Sequence, residues 1–542
     1  MALVRKQKAF RFFPAMPIDA NNVNFEQAIV RLLVLLHTKG KVIAKTNKDT
    51  LYPENLVEII KGNSERFEGI DDPVRERLMK NWISTDYATT VIEGKGRKGK
   101  ARISNLKPLH LSTIKLLDPR VRSQDRDVSV FLYNVFKGTA VASDKDFLMA
   151  FLLEGTKRFG EYDLVVDEAN FDGLDIETQF LLRLLEGFKV DRPSTRSSQV
   201  QDYQFICEAH KNQILFDTLK LLVYKDSIPR RELFSYLTII LNFHTALFAM
   251  KTFNQIYSLV ERQKLKCEHC KTIRAEKDFD RLGGCDFQPK LFVDLTLAQD
   301  ATCDRLSKLS LEKNYNDMYR YFKAHYKLVK LGEFAKTQGI QNPKVEQLIE
   351  LTKNAQLDGF YNYKLADIVN DEDLQDDEDI QDILKLNISP LDKYVEILCN
   401  DKSNWKNLIT RHKKLMSGLC NMNREDGFLQ GGRGKKRKYV LGNLLLEVLV
   451  QLAVVGADKH GFKTQPITIM SFVEWLKNRY GIYINEWPYG SDSPEIAKAL
   501  NNNYEALKSR LRQLGFYTDL SDASNSQVIK PRFKIEPKME TV

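Results

Sequence analysis

The chain has 542 residues, 43% hydrophobic and 28% charged, a balance that excludes wholesale disorder and a length that exceeds one ordinary domain. With 27 glycines and 16 prolines it is neither collagen-like nor dominated by linkers. Lys+Arg 82 against Asp+Glu 72 leaves +10, an excess that permits a nucleic-acid partner without requiring one. The first 13 residues are basic and aromatic and lack the apolar core of a signal peptide. The apolar stretches 28–36 and 444–455 are too short to cross a bilayer, so the chain reads as cytoplasmic, with no membrane partner. Seven cysteines, sparse and odd in number, argue against a disulfide framework.

In chain order, the first clear element is a helix over residues 24–38. Ala28, Ile29, Leu32, Leu33, Leu35 and Leu36 give it a broad apolar face, and Gly40 ends it. Helical patterns follow at 54–61 and 73–82, then an amphipathic block through 145–151 and 176–188. Residues 201–262 read as almost continuous helix, broken near Pro229. Residues 264–306 differ: the segment is short, turn-rich and holds four of the cysteines. Helix resumes at 311–330 and 343–355. An acidic run at 371–382 reads as a loop or exposed surface, a polar stretch begins at 411, and 431–438 reads as a basic linker. The predicted fold class is mainly α and multidomain. Its parts are a helical domain (1–200), a helical domain (201–430) with a central four-cysteine zinc-binding insertion, and a C-terminal winged-helix-like domain (439–533).

The cysteine segment supplies the zinc expectation. Cys267-Glu268-His269-Cys270 is a knuckle that sets two thiolates on one side of a tight turn, as tetrahedral Zn²⁺ needs. Gly283 and Gly284 let the backbone turn and bring in Cys285, and the apolar run 291–295 carries the chain to Cys303. Cys267, Cys270, Cys285 and Cys303 are therefore the predicted ligands of a structural zinc ion, with His269 in reserve. The bland alternative is that Cys285 and Cys303 are small buried apolar residues and the knuckle is incidental.

Two segments resemble phosphate-binding motifs. Residues 94–101 match Walker A spacing except at the last position, where Ala101 cannot ligate Mg²⁺. Residues 162–168 look like a Walker B strand ending in Asp167 and Glu168. The first reads as a flexible basic loop and the second as a short buried strand. No catalytic set stands out elsewhere.

The C-terminal segment is the most legible. Helices are predicted at 442–455 and 468–480, and a third from Ser493-Pro494, a sound helix start, to Leu514, with Gly515 as cap. Strands at 516–520 and 527–530 around a polar turn complete the order of a winged helix, whose third helix can enter the major groove. The predicted nucleic-acid-binding residues on this unit are Lys498, Asn502, Lys508, Ser509, Arg510, Arg512 and the wing residue Lys530. The basic linker adds Arg433, Lys435, Lys436, Arg437 and Lys438.

The Cys267-Glu268-His269-Cys270 knuckle, Gly284-Cys285, Leu291-Phe292-Val293-Asp294 and Cys303, with Leu514-Gly515-Phe516 and Pro531-Arg532-Phe533, resemble accessory proteins of the bacterial methylation-associated defense system. That resemblance implies action against foreign DNA beside other defence proteins, and no catalytic residue here. The function expected is a zinc-stabilised accessory protein that binds double-stranded DNA. The alternatives are a scaffold whose winged helix docks a partner protein, and a cryptic nuclease or degenerate ATPase.

Overall fold

The computed structural model of the chain describes residues 11–43, 53–63, 67, 73–87, 91–92, 102–103, 106–116, 125–138, 146–186, 188–189, 197–263, 267, 285–370, 377–400, 402–432, 435–458, 461–490, 493–517 and 527–536. Helix dominates and the strands are short. Two compact units emerge, one made of residues 23–202 and 218–238, the other of the remainder.

In the first unit, helix α1 (Phe25–His37) forms where the apolar period predicts it, with Asn24 as N-cap accepting from the Gln27 N–H at 3.2 Å. It packs on α4 (Val128–Phe136), whose nine residues are all buried. Arg31 of α1 pairs with Asp125 at the foot of α4, and Asp125 also accepts from the Ser129 N–H and hydroxyl at 2.9 and 2.8 Å. Helices α2 (Pro53–Lys61) and α3 (Pro73–Trp82) lie where the sequence places them. Strands β1 (Val91–Ile92) and β2 (Arg102–Ile103) pair antiparallel. A second antiparallel pair, β3 (Thr156–Phe159) and β4 (Asp163–Val166), lies between α5 (Phe147–Leu152) and α6 (Ile176–Leu185). Helices α7 (Glu208–Leu222) and α8 (Arg230–Arg262) each contribute residues to both units. Among the described residues, α8 is the helix long and apolar enough to cross a membrane, and 89% of its most apolar window is buried within the protein, as in a core helix.

The second unit is organised by α9 (Ala301–Thr337), capped by Asp300, which accepts from the N–H groups of Thr302 and Cys303. Helices α10 (Val345–Glu350), α11 (Gln356–Val369) and α13 (Pro390–Asn400) pack on its C-terminal half, and α12 (Glu378–Lys385) packs on α13. Part of the acidic run is not loop: Asp377 caps α12, with Glu378 and Asp379 in the first turn, where the helix dipole favours negative charge. The polar stretch from 411 belongs to α14 (Lys402–Leu419). Strand β5 (Leu291–Phe292) precedes α9. The expected basic linker is instead part of a hairpin, β6 (Leu429–Gly432) with β7 (Lys435–Tyr439). Then come α15 (Asn443–Ala453), a hairpin of β8 (Val455–Asp458) and β9 (Gly461–Thr464), β10 (Ile467–Thr468), and α16 (Ile469–Tyr480). Strand β11 (Ile482–Tyr483), α17 (Pro494–Gln513) and β12 (Val528–Ile529) complete the order. β12 pairs antiparallel with β10, and β11 pairs in parallel with β5. The β5–β11 pair depends on Gly481. Its φ of 71° is left-handed, and a Cβ there would lie 2.1 Å from the Pro289 carbonyl oxygen.

A buried ionic network ties three segments of this unit together. Asp217 accepts from His244 Nε2 at 2.8 Å, from the Tyr480 hydroxyl at 2.7 Å and from the Arg479 guanidinium. Asp217, His244 and Tyr480 are fully buried and Arg479 is nearly so. Burial alone would raise the Asp217 carboxyl, but Arg479 and His244 more than offset it and hold it below the ordinary carboxylate range. Asp217→Asn is expected to cost about 3–5 kcal/mol at neutral pH, because it leaves Arg479 charged and buried without its counter-ion. Because the folded carboxyl is depressed, its contribution is complete above the unfolded value of 3.8 and fades as pH falls below it. Urea unfolding at pH 7 tests this: a variant within about 1 kcal/mol of the parent would show that the network does not hold these segments.

Candidate nucleic-acid interface

α17 begins at Ser493 with Pro494 in its first turn and buries Ala499, Asn503, Leu507, Arg510 and Leu511. Gly515, at φ 77°, ends it, and the Phe516 N–H donates back to the Leu511 carbonyl at 2.9 Å. Its N-terminal half is fastened to α9 and β5. Ala499, Phe292, Cys303 and Leu306 form one buried cluster with Ile496 and Leu500 against it. Asn503, absent from the residues that the sequence singles out, is a clamp. Its Nδ2 donates to the Val293 and Ile484 carbonyls, both at 2.9 Å, and its Oδ1 accepts from the Leu295 N–H at 2.8 Å. The one local signal is an amide inside an apolar stripe, which needs partners when buried.

The face of α17 turned from this core exposes Lys498, Asn502, Ser509 and Arg512. Asn502 donates to Asp300 at 2.8 Å, and Lys508, half-buried, pairs with Glu505 at 2.9 Å. Arg512 lies over the Tyr517 ring at 5.9 Å. Arg510 is not on this face. It is buried, donates to the Leu441 carbonyl, and is lowered from its ordinary pKa by burial. Lys530 is exposed next to β12, and its N–H donates to the Phe516 carbonyl at 3.1 Å. The wing tip, 518–526, lies outside the described residues.

The basic segment has a second use. Arg433 lies outside the described residues; Lys435 and the next four residues form β7. Lys436 is exposed. Arg437 donates to the Tyr315 hydroxyl at 3.3 Å and the Lys413 carbonyl at 3.4 Å. Lys438 is buried, with its ammonium 2.7 Å from Asp294 and 2.8 Å from Asp304. Burial would lower its pKa, but the two carboxylates more than offset that and raise it. Lys438 and Arg510 therefore neutralise or cap interior groups and are not turned toward phosphate.

Of the predicted zinc ligands, Cys267 is buried, Cys285 is half-buried and Cys303 is fully buried in the first turn of α9, while Cys270 and His269 lie outside the described residues. The Cys303 thiol donates to the Ala499 carbonyl at 3.1 Å and is pushed up to about 12 by burial and by the neighbouring Asp300 and Asp294. Among the described residues, no three His, Cys, Asp or Glu side chains are grouped to hold a metal ion.

The two phosphate-loop resemblances also have places. Residues 94–100 lie outside the described residues, but β2 follows them, antiparallel to β1, where a P-loop needs a helix. β4 sits in a two-stranded antiparallel pair, not the parallel sheet of a nucleotide-binding core. Asp167 accepts from Asn170 at 2.7 Å, and Glu168 takes both guanidinium nitrogens of Arg183 at 2.9 Å.

A comparison with protein families matches residues 5–533, nearly the whole chain, to the methylation-associated defense system protein MAD7. The chain belongs to the MAD7 family. Searches of curated proteins and of solved structures returned no match. Membership in this family makes the chain a defence-system protein, as the motifs around its cysteines and its C-terminal segment imply.

In this MAD7-family chain the two kinds of cation in β7 are separable. Lys438→Met is expected to destabilise the fold by about 3–5 kcal/mol, since it leaves Asp294 buried beside an apolar side chain. Lys436→Ala, on the exposed side, is expected to change stability by less than about 0.5 kcal/mol. Equal unfolding midpoints in denaturant would show that the Lys438 pair has no structural weight.

Proposed function

We propose that this chain is a nucleic-acid-binding accessory component of its defence system that presents the outer face of α17 to duplex DNA. The observation that carries the reading is the exposure of Lys498, Ser509 and Arg512 along one face of a helix fixed at its back by Asn503. Support also comes from the order α15, β8, β9, β10, α16, β11, α17, β12 with β10 paired to β12, which resembles a winged helix apart from the β8–β9 hairpin and β11, a strand paired with β5. On this reading Lys498 and Arg512 hold phosphates, Ser509 reaches base edges, and Lys530 and Lys436 extend the basic surface. Asn502 joins base readout only by giving up its bond to Asp300. Partners within the defence system are part of the same proposal. The scaffold reading is favoured by a separate observation: Glu495 and Glu505 share the exposed face with the two cations, which lowers its net charge.

The test uses the full chain, because Cys303, bonded to the Ala499 carbonyl, and Asn503, bonded to Val293 and Leu295, join 439–533 to the preceding residues. Fluorescence anisotropy with a duplex at two salt concentrations should show tighter binding at low salt. Lys498→Ala with Arg512→Ala should flatten the salt slope by roughly 0.9 for each phosphate no longer neutralised. Duplex affinity indifferent to salt and to both substitutions would transfer the face to a protein partner.

Zinc belongs to the proposal as a structural ion held by Cys267, Cys270 and Cys285. Cys303 is the fourth ligand only if it releases the Ala499 carbonyl; otherwise His269 takes the place. Elemental analysis is expected to find zinc bound to the purified chain and to lose it on Cys270→Ser. Zinc-free protein whose Cys267, Cys270 and Cys285 thiols titrate freely in the native state would remove the ion from the account.

A further inference from the structure

Away from the α17 face, one side of α9 carries an unusual pairing of rings and cations. Residues 312, 313, 316 and 320 are exposed and Tyr315 and Tyr319 are half-exposed, so this stretch turns one continuous arc outward. Near its start, Tyr489 has Lys313 over its ring at 4.4 Å and Lys290 at 5.6 Å. In the middle, Lys413 of α14 lies 5.1 Å from the Tyr315 ring and 5.8 Å from the Tyr319 ring. At its end, Tyr257 of α8 has Arg320 at 5.8 Å and Arg262 at 5.9 Å. The carboxylates on the same stretch are Glu312, which is exposed, and Asp317, half-buried and 3.6 Å from Arg320. On the stretch itself Lys313 and Arg320 balance Glu312 and Asp317; with Lys290, Lys413 and Arg262 from neighbouring segments, and the exposed Glu261 beside Arg262, the strip carries five cations to three carboxylates, and each ring stands beside at least one cation.

We infer that this strip is a binding surface for single-stranded nucleic acid. A nucleotide in a single strand offers a flat π-face and a phosphate, and a tyrosine flanked by a lysine or arginine matches both. A duplex hides its base faces inside the stack, so it could use the cations but not the rings. An acidic peptide would likewise meet the cations and gain nothing from four tyrosines. Because the strip shares none of Lys498, Ser509 or Arg512, it goes beyond the duplex reading and stands or falls separately.

The experiment takes the full chain and a labelled oligothymidylate of about 16 nucleotides, the upper site size of one such groove. Its duplex and poly-glutamate serve as the other probes. Tyr319→Ala and Tyr489→Ala are each expected to weaken single-strand binding roughly tenfold, with circular dichroism unchanged. Tyr319→Phe and Tyr489→Phe keep the ring and should keep the affinity, which separates stacking from loss of fold. Lys313→Ala should lower the salt slope by about 0.7. Duplex affinity should follow Lys498 and Arg512 and ignore these tyrosines. Single-strand affinity untouched by the alanine variants, or reduced equally by the phenylalanine variants, overturns the inference. Poly-glutamate binding that disappears with Lys313 but not with the tyrosines reassigns the strip to an acidic protein.

Discussion

A carboxylate with no access to water sets the terms for the larger unit. Asp217 must be ionised to satisfy Arg479, and it must be surrounded by donors to exist as a charge in the interior. Its three partners come from α8 and from the end of α16, so the network closes only when segments more than two hundred residues apart in sequence are all in register. An alternative seating of α16 would strand a guanidinium and a carboxylate in apolar surroundings. His210, buried 5.7 Å ring to ring from His244, adds to the constraint, because burial holds it neutral, well below its ordinary pKa. The mixed aromatic and ionic core around Phe243, Trp475 and Tyr480 follows from the same requirement that every buried charge have its donors.

Much of the helical framework was legible because its signals are local. Asn24, Gly40, Ser493-Pro494 and Gly515 act on their own backbone, and the apolar periods between them survive into the folded chain. The basic run at 435–438 misled because its meaning is not local. Lys438 is decided by Asp294 and Asp304, about 140 positions away, while Lys436, two residues earlier in the same strand, stays exposed. Arg510 went the same way: a single carbonyl, that of Leu441, turns a position on the edge of the apolar stripe into an interior one. The polar composition around 411 concealed α14, whose buried stripe of Leu408, Leu415, Met416 and Leu419 is interrupted by His412 and set among cations. The hairpin of β8 and β9 left too short a pattern to read.

The chain's positive charge is correspondingly less available than its sum suggests. Lys438, Arg479 and Arg510 in one unit and Arg230 in the other are interior groups, each engaged with carboxylates or carbonyls. Among the described residues, two groups of outward cations differ in kind. On α17 they are spaced along a helix among Asn502, Ser509 and the carboxylates of Glu495 and Glu505. On α9 they are set against aromatic faces. For a MAD7-family protein these are different chemistries offered by a single chain.

The pairing of β5 with β11 carries a consequence for biosynthesis. A ribosome makes residues 291–292 long before residues 482–483, and β5 can close its ladder only when the latter have emerged. Until then the nascent chain has Phe292, Cys303 and Leu306 without the α17 residues that cover them. At ordinary elongation rates that interval lasts on the order of 10–40 seconds. The completed fold therefore has a late, non-local closing step, and the apolar surface awaiting it is a natural client for a holding chaperone. A chain terminated before Pro494 would be released without Ile496, Ala499 and Leu500 to cover this surface.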